Sequence, residues 1–205
     1  MLSETNQTLH HYFIINKPYN MVSQFVSPHK VSLLGDLDFD FPEGAHAIGR
    51  LDNHSEGLLI LTTNKKVTGL LFTGGTPHKR NYLVEINNVL SEEGLQQLRS
   101  GVSIRVEGGG FYMTPPCEVS IIKNPENIYP SIKTTTEYGP HTWLLISLYE
   151  GKYRQVRKMV AAIRHRCKRL IRVSIEDLKL DDLLPGCVKE IEEKKFFESL
   201  KIGEY

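Results

Sequence analysis

A chain of 205 residues, 40% of them hydrophobic, can bury an ordinary core, and its length favours one domain, or one domain with two lobes, over two independent ones. With 25 basic and 24 acidic residues the net charge is +1, which by itself argues for no polyanionic partner, and no apolar stretch approaches the roughly 20 residues of a membrane span. The three cysteines, Cys117, Cys167 and Cys187, are odd in number and form no C-x-x-C pair, which excludes a disulfide framework, points to a reducing cytoplasm and makes each a small core residue. The polar start MLSETNQTLHH lacks an apolar signal region, so export is not expected.

In chain order, residues 1–10 read as a disordered tail. Residues 12–15 are a short apolar strand that runs into Asn16-Lys17-Pro18-Tyr19, where Pro18 ends regular pairing. Residues 24–44 hold Pro28, Gly35, Pro42 and Gly44 and predict a loop with at most a short helix. Residues 58–63 read as a second strand, and residues 65–72 as a short helix stopped by Gly74-Gly75 and Pro77. Residues 82–86, β-branched and aromatic, predict a third strand. Ser91 followed by Glu92-Glu93, with Leu95, Leu98 and Gly101, predicts a helix over 92–99.

Gly108-Gly109-Gly110 marks a turn or bulge; no G-K-[ST] follows, so it is not a phosphate loop. Residues 117–122 and 143–149 read as strands, separated by an exposed loop over 125–140. Val156, Met159, Val160, Ile163 and Cys167 recur at helical spacing and predict an amphipathic helix over 154–167. Residues 170–175 read as a strand, residues 178–184 are ambiguous, and the chain from Glu190 onward reads as a charged solvated segment. Helices and strands mix without strict βαβ alternation, so the class is α+β with a mixed, largely antiparallel sheet.

Two stretches carry candidate chemistry. In residues 46–64, HAIGRLDNHSEGLLILTTN, Asp52 stands where an extended segment breaks into a polar loop, with Arg50 two residues earlier and so on the same face of an extended chain. Gly49 clears space for close approach of another backbone or a substrate. On the residues alone Asp52 is either a carboxylate held ionised in a polar cleft or a turn former, since Asp-Asn in a Gly-containing loop is a common turn. From Lys152 to Arg172 lie Lys152, Arg154, Arg157, Lys158, Arg164, Arg166, Lys168, Arg169 and Arg172 with no acid between them, a basic block that the overall balance conceals. Its face is either solvated or in contact with phosphates, and the lack of i,i+4 acids favours phosphate.

Competing chemistries fail. Asp52, His54, Glu56 and Gly57 mimic a calcium loop, but Thr63 stands where the bidentate Glu belongs. There is no H-E-x-x-H, no His–Cys pair at zinc spacing and no G-x-S-x-G. His46 and His54 read as solvated loop residues.

The blocks together resemble a known family. GRLD-x-x-SEGLLILT is similar to the signature around the catalytic aspartate of the RNA pseudouridine synthases that modify ribosomal RNA, and LYEGKYRQVRKM resembles that family's third conserved block. RNYLVEI resembles its K-x-Y-x-V block, with Arg80 where the family has Lys. FIINKPYNMVSQF is similar to its Asn-Lys-Pro opening, and Tyr19 with Gln24-Phe25 most resembles the subgroup acting on the large ribosomal subunit, its E type in particular. The resemblance covers about residues 12–191, with four blocks in order. The small N-terminal RNA-binding module of many relatives (the S4 type) is not expected here, and Glu176 stands where relatives usually have glycine.

The resemblance implies a pseudouridine synthase fold with two lobes around a central RNA cleft, residues 11–205 forming the catalytic domain. It implies that Asp52 is the essential carboxylate, that Arg157 pairs with it, and that Tyr82 stacks on the target uracil. Basic contacts to RNA are expected from Lys17, Arg50, Lys79, Arg80, Lys152, Arg154 and Lys158. The isomerisation is redox-neutral, so no metal or nucleotide cofactor is expected. The expected partner is large-subunit ribosomal RNA, bound by a cytoplasmic monomer with no membrane association. Two alternatives stay open: a non-catalytic ribosomal RNA-binding or assembly factor that keeps the fold, and a glycosidase-like enzyme with Glu56 as its second acid.

Overall fold

A computed structural model describes residues 9–72, 74–132 and 139–203. The elements, in order, are β1 (Tyr12–Lys17), β2 (His46–Ile48), β3 (Glu56–Thr62), α1 (Lys66–Phe72), β4 (Arg80–Asn87), α2 (Glu92–Ser100), β5 (Ser103–Arg105), β6 (Phe111–Met113), β7 (Glu118–Ile122), β8 (His141–Leu148), α3 (Gln155–Ala162), β9 (Cys167–Ile175), β10 (Leu178–Lys179), β11 (Val188–Glu190) and α4 (Glu193–Ser199). Among the described residues no helix is long and apolar enough to cross a membrane.

The main sheet runs β11-β1-β3-β9-β4-β8-β7, with β2 added beside β3 and β10 beside β9. Every pairing is antiparallel except β3 with β9, which meet in parallel at Glu56↔Ile171 and Gly57↔Arg172. That short seam joins an N-terminal half, β11-β1-β3 with β2, to a C-terminal half, β9-β4-β8-β7. Gly57 is required there: it sits at φ +97, and a Cβ would lie 2.3 Å from the Arg172 carbonyl oxygen. The class is α+β with a largely antiparallel sheet, as the sequence predicts.

Side-chain alternation builds a different core on each face. On one face Tyr12, Ile14, Leu58, Ile60, Leu83, Ile171 and Val173 share a cluster with α1 and α4. The opposite face is divided. Phe13, Ile15, Leu59 and Leu61 pack under the segment that carries Met21, Leu34, Phe39 and Phe41. Val84, Ile86, Leu144 and Ile146 pack under α2, α3 and β5. Between these two half-cores the sheet is left open, and the cleft described below lies there.

Several expectations need correction. The expected tail lies outside the described residues as far as residue 8, while the expected loop over 125–140 buries Tyr129 and Ile132, with residues 133–138 outside those described. Tyr129 is drawn in by Asn16, whose Nδ2 donates to its hydroxyl at 2.9 Å. The segment after Glu190 is not solvated, because it contains α4, whose Phe196 and Phe197 are buried against Tyr12, with Leu200 just after it in the same core. Glu192 caps that helix by accepting from the amides of Lys194 and Lys195. The helix expected over 154–167 is shorter: Arg154 precedes it at φ 54, and Cys167 already belongs to β9. Cys187 is exposed rather than a core residue. The helix α2 matches its signals, with the Ser91 hydroxyl accepting from the Gly94 amide and Gly101 at φ 94 as its end.

Candidate active site

Residues 49–55 connect β2 to β3 without regular structure, so their backbone polar groups need partners from elsewhere. Four segments supply them. The Arg172 guanidinium donates to the Gly49 carbonyl at 2.8 Å, and its Nε donates to the Leu58 carbonyl at 2.8 Å. The Ser23 hydroxyl accepts from the Leu51 amide at 3.0 Å and donates to the Leu51 carbonyl at 2.9 Å. The Lys17 ammonium donates to the Asn53 carbonyl at 3.3 Å, as well as to Met21 at 2.6 Å and Pro18 at 2.9 Å. The Arg157 guanidinium donates to the His54 carbonyl at 2.6 Å.

Inside the loop, the Ser55 amide donates to the Asp52 carbonyl at 3.0 Å, closing a turn. Gly49, at φ +59, is needed because a Cβ would fall 2.5 Å from the Phe72 ring. The half-buried Asp52 carboxylate accepts no hydrogen bond and joins no ion pair from among the described residues. It faces a cleft of about 1010 Å³ lined by Arg50, Asp52, His78, Arg80, Tyr82, Lys152, Tyr153, Arg154 and Arg172. The main chain of Asp52 makes the turn, while its carboxylate lines the cleft.

Of the residues expected at the site, Asp52, Tyr82, Arg50, Arg80, Lys152 and Arg154 come together on the cleft wall. Arg157 reaches the Asp52 loop but holds the His54 carbonyl instead of the Asp52 carboxylate. Lys17 was expected at the RNA backbone; instead it is fully buried, and its ammonium is spent on three carbonyls. Burial pushes its pKa down to about 8, against the pull of the Glu56 and Asp52 carboxylates. Lys79 lies off the cleft and pairs with Glu118 at 2.6 Å. Lys158 also lies off it, 5.3 Å from the centre of the Tyr153 ring.

The basic block is less uniform in space than in sequence. Arg169 makes a two-pronged contact with Glu56 at 3.0 and 2.7 Å, and Lys168 pairs with Glu85 at 3.7 Å. The missing acids come from β3 and β4. Glu56 is thereby occupied, which removes the second acid that a glycosidase reading needs. Sequence reasoning counted Arg172 only in the basic block, without its inward role, and overlooked Ser23. Arg172 is a lone cation in the apolar run Leu170–Ile175, and a buried cation at such a position must find acceptors; nothing in the sequence marks Ser23.

Tyr82 and Arg80 share a face of β4 and both open onto the cleft. The buried Arg172 guanidinium also interacts with the Tyr82 hydroxyl. The exposed Tyr19 ring stacks on His54 with centroids 5.3 Å apart.

Residues 11–162 match the RNA pseudouridylate synthase family. The chain is 36% identical over 182 residues to the ribosomal large subunit pseudouridine synthase E of Vibrio parahaemolyticus, a match covering 87% of this chain and 73% of the relative. A protein of the same name from Xanthomonas axonopodis is 34% identical over 177 residues, covering 84% of this chain and 89% of the relative. A solved structure described as a pseudouridylate synthase superposes with a TM-score of 0.72 at 25% identity, covering 94% of this chain and 74% of that one. An open cleft with a free carboxylate, an aromatic wall and these relatives lead to one conclusion: the chain belongs to the RNA pseudouridylate synthase family.

Proposed function

We propose that this protein converts a uridine of large-subunit ribosomal RNA into pseudouridine, in the cytoplasm and as a monomer. The carrying observation is that the Asp52 carboxylate has no partner among the described residues and lines the cleft, while the Gly49, Leu51, Asn53 and His54 carbonyls of its loop each accept from a side chain. The two relatives named for the large subunit support the substrate class.

In the reaction the bond between N1 and the ribose C1′ breaks, the base turns, and C5 joins C1′; C5 loses a proton and N1 gains one. The atoms balance without a redox partner. Asp52 is the essential carboxylate of this scheme. Tyr82, anchored by Arg172, offers its ring to the uracil, and such stacking is worth about 1–3 kcal/mol. Extruding the base costs a few kcal/mol, offset by contacts from Arg50, Arg80, Lys152 and Arg154 to the RNA. Arg157, Lys17 and Arg172 act through the loop backbone, fixing where the carboxylate points.

Pseudouridine mapping of ribosomal RNA from cells lacking the protein tests the reading. One large-subunit uridine is expected to lose its modification and regain it when the wild-type gene is restored. If every pseudouridine persists in the deletion, the protein is an RNA-binding or assembly factor instead.

A further inference from the structure

Among the described residues the cleft holds one buried arginine that is not used in holding the loop. Arg80 opens β4 and is only 7% exposed. Among the described residues its Nε is buried with no hydrogen-bond partner and no carboxylate favours its charge; Tyr82 is the group that does, against the pull of burial. Taking a guanidinium out of water without an anion is costly, so a site that keeps one is built for an anion that arrives from outside.

The surroundings fix the guanidinium in place. Its Cζ lies 4.8 Å from the centre of the Phe72 ring. On another side the chain passes so close that a Cβ on Gly151 would sit 3.1 Å from Nη1. The neighbouring Arg172 is a like charge that repels it, and Arg172 is already engaged by the Gly49 and Leu58 carbonyls. Two buried cations with no buried acid between them make this corner of the cleft the stronger anion trap, and Arg80 is the one with donors left to give.

Its position selects the anion. Arg80 and Tyr82 emerge on one face of β4, about 6.6 Å apart along the strand, a span a ribose can bridge. We propose that Arg80 is the core of a phosphate subsite, taking a phosphate of the same nucleotide whose base stacks on Tyr82. The inference rests on the reading of the cleft as an RNA site. A guanidinium fork matches two phosphate oxygens, which distinguishes this seat from the point charges of exposed lysines.

The test is an NMR titration of the full chain with uridine, uridine 5′-monophosphate, uridine 3′-monophosphate and inorganic phosphate, following the Arg80 Nε–H signal. One of the two monophosphates is expected to bind at least tenfold more tightly than uridine and to shift that signal. The advantage should vanish in Arg80→Gln and survive in part in Arg80→Lys, which keeps the charge and guards against a folding artefact. Inorganic phosphate that shifts the Arg80 signal and competes only with the favoured monophosphate also supports the assignment. Equal binding of uridine and both monophosphates overturns it, as does an advantage that persists in Arg80→Gln. A loss of uridine and monophosphate affinity by the same factor assigns Arg80 to the base and overturns it as well. Pseudouridine formation by the wild type is scored separately, so a failed enzymatic reading leaves the monophosphate result standing or falling by itself.

Discussion

Beneath the Asp52 loop, Lys17, Arg157 and Arg172 each donate to a main-chain carbonyl, whereas on the Gly151–Arg154 side of the cleft Lys152 and Arg154 stand exposed with no ion pair among the described residues. The local backbones differ in the same sense. The loop depends on distant donors, while the turn before α3 is held by its own neighbour: the Lys152 amide donates to the Gln155 side chain at 2.8 Å, and the Gln155 amide donates to the Lys152 carbonyl at 3.0 Å. Cations of one sign thus do two jobs. Inward ones shape the loop and should be insensitive to salt, since buried interactions are weakly screened; outward ones meet the ligand and should titrate with salt.

The sharpest way to break this division is at Arg172, an inward cation only 3% exposed. Replacing Arg172 with Met strips donors from the Gly49 and Leu58 carbonyls and support from Tyr82, and is expected to cost about 3 kcal/mol. For a chain of this size that is a fall of roughly 10 °C in melting temperature, readable by circular dichroism. A melting point equal to wild type would remove Arg172 from the inward set.

Lys17 gives the division a pH signature. Its pKa is about 8 in the folded chain against an ordinary value of 10.5, so between those values the unfolded chain binds more protons and stability rises with pH; below about 8 the contribution is flat. Denaturant titrations from pH 7 to pH 10.5 should show this rise in wild type, and Lys17→Met should lack it. Identical pH profiles for the two proteins would place Lys17 in contact with water.

The outward set should behave in the opposite way. In RNA-binding titrations, Lys152→Gln and Arg154→Gln are each expected to lower the log–log salt slope by roughly 0.7–0.9, with melting changed by no more than the ~0.5 kcal/mol of a surface substitution. The smallest effect is expected at Glu176, which sits at φ 48 while its carboxylate accepts from the Lys79 amide at 2.7 Å and pairs with Lys201 at 3.0 Å. Glu176→Gly relieves the left-handed strain, worth roughly 1–2 kcal/mol, and loses those contacts, so the net change in a denaturant melt should stay within about 1 kcal/mol.

How much of this was legible in the sequence follows from the range of each interaction. The α2 boundaries were, because Ser91 and Gly101 act within one turn of the helix they bound. The grouping of Asp52, Tyr82 and the basic block was legible through family resemblance, not through spacing, since the three lie on a loop, a strand and a helix far apart in the chain. The inward role of the cations was hidden. The acid that answers Arg169 is Glu56, and the carbonyl that answers Arg172 is Gly49, each more than a hundred residues away. Lys17 looked like a surface charge because nothing adjacent to it announces that the turn over residues 18–21 folds back to wrap its ammonium. α4 was missed because its charges outnumber its two phenylalanines, although those two decide where it packs.

The central claim is that the inward cations hold the backbone so that the Asp52 carboxylate is left for chemistry alone. Purified Asp52→Asn is its most direct test, because the substitution leaves every backbone clamp in place. The variant should melt with wild type, bind RNA with wild-type affinity and salt slope, and lose pseudouridine formation by a factor on the order of 10⁴, the scale seen when a catalytic carboxylate is removed. An Asp52→Asn variant that forms pseudouridine at a rate near wild type would contradict the account.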